Sequence, residues 1–418
     1  MECQFIYDDC EHTHHRGCDK TPPNVGARRA RQGDKPFVIA MRSAGVVYSG
    51  PMGDSQKPTH TNTLPQPGKG WEDFDEDPQK LRADALMELG NIERVESNYE
   101  GALKNYAEAM GLYEGLGDLN GLARILYVVG DIHRAQSRYA QAETCFSQAS
   151  ALFRQVGNRR MEGSVLGNLA MMYQEQGAYD HAIEHSQQAL SINRAVGNKR
   201  AEGTVLGHLG GVYQSLGKYA EAIAHYNQAL SIKIEVGDRL GEGIVLGHLG
   251  GVYQSMGKHN EAINHLHQAL AVQREIGNKL QEGGVLGNLG DVLLKQGRLK
   301  EAAKHLQTAI RRCDSIIPAA AGAFQGSLAL IRAKQGDLET ARSLLSTGEG
   351  LVAPIPLELG KFLCKKGEIH LLSGERAAAE SAYKQAQGIA KELNVKTNSQ
   401  LVRSILELES LLHSKTTN

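Results

Sequence analysis

The feature that most constrains this chain is a repeat, because from residue 81 onward the sequence resembles itself every 40 residues. The copies span residues 81–120, 121–160, 161–200, 201–240, 241–280, 281–320, 321–359 and 360–400, and the third, fourth and fifth are the most alike. A period of this length is typical of solenoids, in which each unit stacks on its neighbours to bury a shared core. We therefore predict one elongated array of about eight units rather than two or three globular domains.

Each copy is predicted to fold as two helices. In the fourth copy, apolar residues recur at helical spacing in two runs. Gly217 separates the runs, since glycine supplies the left-handed conformation that ends a helix. Gly237 ends the second run, and Asp238 then caps the first helix of the next copy. The chain from 79 to 400 is therefore predicted to be a row of helical hairpins.

The repeated residues also carry a family resemblance. The pattern L-G-x-x-Y, followed by G-x-Y-x-x-A-x-x-x-Y-x-x-A-L, resembles the tetratricopeptide repeat (TPR). The 40-residue spacing is similar to the lengthened repeats of spindle-orientation adaptors and, with slightly longer repeats, kinesin light chains. This resemblance implies an all-α, right-handed solenoid whose first helices line a concave groove that binds protein segments.

The two ends of the chain differ from the array. Residues 1–78 contain scattered proline, glycine and threonine without periodicity, and we predict a disordered tail. At the other end, residues 401–418 are predicted to form a capping helix and a short tail. Its apolar residues recur at helical spacing, and we expect them to pack on the last repeat. They are Leu401, Ile405, Leu406, Leu408 and Leu411.

Composition excludes several classes of protein. The chain has 46 basic and 47 acidic residues, so its net charge of −1 does not suit a nucleic-acid clamp. No apolar stretch near the N-terminus is long enough for a membrane span, and none resembles a secretory signal. The isolated cysteines 145, 313 and 364 are typical of reduced thiols. We expect a cytoplasmic chain that binds neither nucleic acid nor membrane.

Motifs for catalysis are weak, and we predict neither an enzyme nor a cofactor. The segment 181–185 matches H-x-x-E-H, a zinc-peptidase signature, but the equivalent positions of the next two copies are glutamates. Cys3, Cys10, His12 and Cys18 form a metal-like cluster that lacks the paired, closely spaced cysteines of structural zinc sites. A metal-dependent enzyme built on this cluster is therefore a minor alternative.

The resemblance places a set of first-helix residues in the groove. Asn168, His208, His248 and Asn288 recur every 40 residues and resemble the asparagine ladder of related adaptors, where side chains hydrogen-bond the main chain of an extended peptide. The alternative is an ordinary polar helix face. The further predicted groove residues are Met171, Gln174, Gln214, Gln254 and Asp291.

The predicted function is a non-catalytic scaffold that binds an extended protein or peptide segment in the groove. A regulatory sensor of a kinase- or cyclase-associated signalling system is the main alternative, and self-association is a further option. A second column, formed by His185, His225, His265 and His305, recurs on the second helices. Histidine titrates near neutral pH, but a half-buried residue that serves contacts between helices is the favoured interpretation of this column.

Overall fold

A computed structural model of the chain describes residues 77–393, 395 and 399–414. Residues 1–76, which include most of the predicted tail and the whole Cys3, Cys10, His12 and Cys18 cluster, lie outside the described residues. The described residues from Pro78 onward belong to one compact unit.

The described residues form seventeen α-helices and no strand, which confirms the predicted all-α solenoid. Sixteen helices pair into eight hairpins, which we call repeats 1 to 8, and one helix follows them. Repeats 1 to 4 consist of α1 (Pro78–Val95) and α2 (Tyr99–Leu116), α3 (Leu119–Ala135) and α4 (Tyr139–Gln155), α5 (Arg159–Glu175) and α6 (Tyr179–Ala195), and α7 (Lys199–Ser215) and α8 (Tyr219–Glu235). Repeats 5 to 8 consist of α9 (Arg239–Ser255) and α10 (His259–Glu275), α11 (Lys279–Lys295) and α12 (Leu299–Cys313), α13 (Pro318–Lys334) and α14 (Leu338–Val352), and α15 (Pro356–Leu372) and α16 (Arg376–Glu392), and the last helix is α17 (Gln400–Ser414).

The turns between helices follow the local sequence. Gly217 adopts a positive φ of 72° and ends α7, and its amide hydrogen-bonds the Gln214 carbonyl. The carboxylate of Asp238 accepts a hydrogen bond from the amide of Gly241 at 3.0 Å, so it caps α9 as predicted. The first two repeats have serine in place of the turn glycine, and Ser97 and Ser137 still adopt positive φ angles of 62° and 58°.

Buried clusters extend across neighbouring repeats. Leu206 and Leu209 of α7 pack with Tyr226 of α8 and with Val245 and Leu249 of the following repeat in one buried cluster. Because each repeat shares its buried face with its neighbours, stability comes from the stacking of hairpins, as in other solenoids.

Ion pairs join neighbouring repeats at the ends of the second helices. Arg194 contacts Glu202 of the next repeat at 2.8 Å, and the Glu202 side chain is only 7% exposed. The same pair recurs as Arg154 with Glu162 and Arg274 with Glu282. These pairs were not predicted from the sequence, because each joins charged residues of two adjacent repeats.

Helix α17 caps repeat 8, as predicted, but with a different apolar face. Its buried residues are Leu401, Ile405, Leu408 and Leu412. Leu406 and Leu411 were predicted to belong to this face, yet they are 53% and 39% exposed. The buried residues follow the spacing i, i+4, i+7 and i+11, and in a helix of 3.6 residues per turn Leu406 and Leu411 point in another direction. None of the described helices combines the length and apolarity that a membrane span requires.

Candidate peptide-binding groove

The first helices line two separate cavities, and the predicted groove residues divide between them. The N-terminal cavity, of about 610 Å³, lies among repeats 1 to 4 and is lined by Asn168, Met171 and His208. The C-terminal cavity, of about 830 Å³, lies among repeats 4 to 8 and α17. Its lining includes Gln214, His248, Gln254, Asn288 and Asp291. Gln174 lies outside both linings.

Asn168 makes a contact between repeats in the N-terminal cavity. Its amide nitrogen donates a hydrogen bond to the hydroxyl of Tyr127 in the preceding repeat at 3.1 Å. Burial raises the pKa of Tyr127 to about 12, so this hydroxyl is protonated at neutral pH. The Asn168 side chain is therefore oriented by its neighbour and is half-buried rather than fully exposed.

His208 and His248 lie close enough to interact electrostatically, although they line different cavities. Both ring nitrogens of His248 are buried, and its ring centroid lies 5.3 Å from that of Tyr226. Burial, with a smaller effect of His208, lowers the pKa of His248 to about 4. The imidazole is therefore neutral at physiological pH and offers one donor and one acceptor.

The N-terminal cavity is lined by four arginines and one aspartate. Arg94 and Arg134 lie 3.5 Å and 3.1 Å from Asp131, and Arg134 also contacts Glu175 at 2.5 Å. Arg160 and Arg200 are exposed, and Arg200 approaches a carboxylate no closer than 3.8 Å. The excess of guanidinium groups gives this cavity a positive character.

Arg160 and Arg200 were not predicted as groove residues, although they occupy equivalent positions one repeat apart and their 40-residue recurrence is visible in the sequence. Arg403, which lines the C-terminal cavity from α17, has no equivalent in the repeats. Only the folded arrangement identifies it as part of the groove.

Three members of the second histidine column pack on a tyrosine of their own repeat. His225 stacks on Tyr213 of the same repeat, with ring centroids 5.1 Å apart and planes inclined by 5°. His185 and His265 stack in the same way on Tyr173 and Tyr253. Burial lowers the pKa of His225 and of its equivalents, including His305. These rings line neither cavity.

The described part of the chain contains no cluster of three or more histidine, cysteine or acidic residues that could hold a metal ion. The H-x-x-E-H segment lies in the described part and forms no such cluster. Its residues His181 and His185 both contact the ring of Tyr173.

Comparison with known families agrees with the architecture. A tetratricopeptide repeat model matches residues 81–155, 162–235 and 242–315, and a second tetratricopeptide repeat model matches residues 288–349. The chain belongs to the tetratricopeptide repeat family. No curated protein matches the sequence.

Solved structures with this fold are distant in sequence. A Signal Transduction ATPase with Numerous Domains (STAND) protein with a tetratricopeptide repeat sensor, from Pyrococcus horikoshii, is 21% identical with a TM-score of 0.55. The match covers 66% of this chain and 42% of that protein, so this chain spans less than half of its length. Aspartyl phosphate phosphatase F from Bacillus subtilis is 14% identical, with a TM-score of 0.56 and coverage of 76% and 85% of the two chains. The apo form of the quorum sensor NprR from B. thuringiensis is 13% identical, with a TM-score of 0.52 and coverage of 79% and 99%. These similarities establish the fold.

Proposed function

We propose that this protein is a non-catalytic scaffold that binds an extended segment of a partner protein in its concave groove. The observation that supports this function is the N-terminal cavity, into which four consecutive repeats direct polar and charged side chains. Met171 adds an apolar, adaptable contact to the Asn168 and His208 positions. A cavity with a few convergent polar groups is typical of a binding site.

The charges of this cavity favour an acidic segment. Arg160 and Arg200 are exposed, and among the described residues of the lining Asp131 is the sole acidic one. Carboxylates of a partner would form charge-assisted hydrogen bonds with these guanidinium groups. The uncharged Asn168 and His208 would contact the main chain, as the predicted ladder requires.

A displayed library of random peptides, panned against the full chain, tests this proposal. We expect the selected peptides to be enriched in aspartate and glutamate. Combined replacement of Asn168 and His208 with alanine should weaken binding by about 1–3 kcal/mol, because each lost hydrogen bond contributes about 0.5–1.5 kcal/mol. This corresponds to a factor of about 5 to 150 in the dissociation constant.

The matched control is Gln187→Ala, which removes an exposed amide from the second helix of repeat 3. It should leave peptide affinity unchanged. Equal affinity of all three proteins for the selected peptides would contradict the groove assignment. A library that yields only basic or only apolar peptides would contradict the acidic partner.

A regulatory sensor is the second candidate, because the STAND protein is described as carrying a TPR sensor and NprR as a quorum sensor. This chain would then transmit peptide binding to a kinase or cyclase. Affinity purification of the full chain with mass spectrometry distinguishes the two candidates, since a sensor should recover a signalling enzyme.

Three further predictions need separate measurements. Metal analysis of the purified full chain tests the alternative enzyme built on Cys3, Cys10, His12 and Cys18. Sedimentation velocity tests self-association. Imaging of the labelled protein tests the predicted cytoplasmic location.

A further inference from the structure

Helix α17 does more than cover the end of repeat 8, because its polar side reaches back to repeats 4 to 6. The guanidinium of Arg403 donates hydrogen bonds to the carbonyl oxygen of Ser255 at 2.7 Å and to the hydroxyl of Tyr219 at 2.9 Å. One turn further along α17, Glu407 pairs with Lys295 at 2.5 Å. These contacts join residues more than 100 positions apart in the sequence.

The space between α17 and the first helices is not filled. The C-terminal cavity has a volume of about 830 Å³, and Leu406 and Leu411 of α17 line it while remaining 53% and 39% exposed. A concave site of this volume that combines apolar and polar side chains is typical of a ligand site. The predicted groove residues His248, Asn288 and Asp291 form part of the opposite wall.

Among the described cations that line this cavity, one forms no ion pair with a described carboxylate. Lys295, Lys334 and Lys361 pair with Glu407, Glu368 and Glu358 at 2.5–2.7 Å, and Lys365 lies 3.9 Å from Asp291. The hydrogen bonds of Arg403 within the described residues all go to uncharged oxygen atoms, those of Ser255, Tyr219 and Ser399. An arginine binds a carboxylate more strongly than it binds neutral oxygen atoms.

We propose that the C-terminal cavity is a second site for an acidic partner segment and that α17 is its gate, with Arg403 as the latch. A carboxylate of the entering segment takes the guanidinium of Arg403 from Ser255 and Tyr219, and α17 then detaches from repeats 4 to 6 and from repeat 8. The partner chemistry rests on the function proposed above, but the latch does not. Binding and opening are coupled because both depend on Arg403.

A buried cysteine beneath α17 allows detachment of this helix to be measured. Cys364 is a free, buried thiol that packs with Leu401 and Ile405 of α17. Burial, with a smaller effect of Glu407, raises the pKa of Cys364 to about 12, so the closed state protects the thiol from alkylation. Cys313 is also free and buried but lies in repeat 6, away from α17.

Alkylation of the full chain with N-ethylmaleimide, resolved by cysteine through mass spectrometry, tests the latch. Arg403→Gln should accelerate labelling of Cys364 by about tenfold or more, because two hydrogen bonds to a charged group are lost. Cys313 should stay protected, which shows that the array remains folded. Arg403→Lys keeps the charge without the planar fork and should give an intermediate rate. Unchanged labelling of Cys364 in both variants would overturn the latch.

Hydrogen exchange with a synthetic oligoglutamate peptide tests the ligand class. The peptide should accelerate amide exchange in α17, because a detached helix of this length is marginal in water, and should slow exchange in α9 and α11. Oligolysine of equal length should do neither. If oligoglutamate leaves α17 unchanged, the acidic ligand is wrong for this cavity. That result concerns only α17, and the peptide-library experiment on Asn168 and His208 judges the N-terminal site separately.

Discussion

The ring of Tyr226 lies so close to Gly210 that a Cβ atom at Gly210 would be 2.6 Å from its Cδ1 atom. Phenylalanine occupies the equivalent position in repeat 2, where Phe146 packs on Gly130. In repeat 3 the second helix has the small residue Ser186 in place of the aromatic ring, and the first helix has Ala170 in place of the glycine. The first helix therefore carries a Cβ atom where the second-helix side chain is small. This glycine position therefore provides room for a second-helix side chain.

Two glycines of α7 should respond oppositely to substitution. Nothing lies within 4 Å of a Cβ atom at Gly207, so Gly207→Ala should stabilise the protein by about 0.5–1 kcal/mol through better helix propensity. Gly210→Ala should destabilise it by about 1–3 kcal/mol, because the new methyl group overlaps Tyr226. Chemical denaturation of both variants measures the difference. Equal effects of the two substitutions would show that packing does not distinguish these positions.

The serines in left-handed conformation carry a measurable cost. Because a residue with a Cβ atom is disfavoured at positive φ, Ser97→Gly and Ser137→Gly should each stabilise the protein by about 0.5–1.5 kcal/mol. Ser164→Gly is the matched control, since Ser164 lies inside α5, where glycine lowers helix propensity. Thermal unfolding should show a higher melting temperature for the turn variants and a lower one for the control. A decrease for all three would contradict the assigned strain.

Acidification should destabilise the array through His248. Its folded pKa of about 4 lies below the value of about 6.5 for an unfolded histidine, so the unfolded state binds more protons between these values. The stabilisation is complete above about pH 6.5 and is lost as the pH falls toward 4. Between about pH 7.5 and 5.5 we expect His248 alone to lower the free energy of unfolding by about 1 kcal/mol.

Denaturant titrations at several pH values test this expectation. His248→Gln should flatten the pH dependence of the free energy of unfolding. The remaining dependence of the free energy of unfolding on pH should diminish when the second histidine column is also replaced, since burial lowers the pKa of each of its members. These members are His185, His225, His265 and His305. An identical slope in the wild type and in His248→Gln would show that the imidazole is accessible to protons in the folded state.

The interface between repeats 4 and 5 lacks an equivalent of the Arg194–Glu202 ion pair, which recurs at the interfaces on either side. Ile234 is 57% exposed and occupies the position of Arg194 and Arg274, opposite Glu242. Ile234→Arg should therefore stabilise the protein by about 0.5 kcal/mol, the scale of a partly exposed ion pair, and less at high salt. Ile234→Gln supplies the length without the charge. If both variants have the same stability at low salt, the ion pair between repeats contributes nothing there.

The repeat period predicted the positions of the groove residues but not their surroundings. The 40-residue period correctly identified Asn168, His208, His248 and Asn288 as equivalent first-helix positions. Residues at equivalent sequence positions nevertheless have different surroundings. Asn168 lines the N-terminal cavity, whereas Asn288 lines the C-terminal cavity. The side chains around each column position differ between repeats, and α17 covers only part of the column.

The sequence by itself determined the helices, their turns and their order. Glycine at Gly217, the cap at Asp238 and the apolar stripes act over a few residues, so they are legible without tertiary information. Only the tertiary structure decided that Arg403 contacts Tyr219, 184 residues earlier in the chain. That contact depends on small rotations that accumulate from repeat to repeat, and no local pattern encodes their sum.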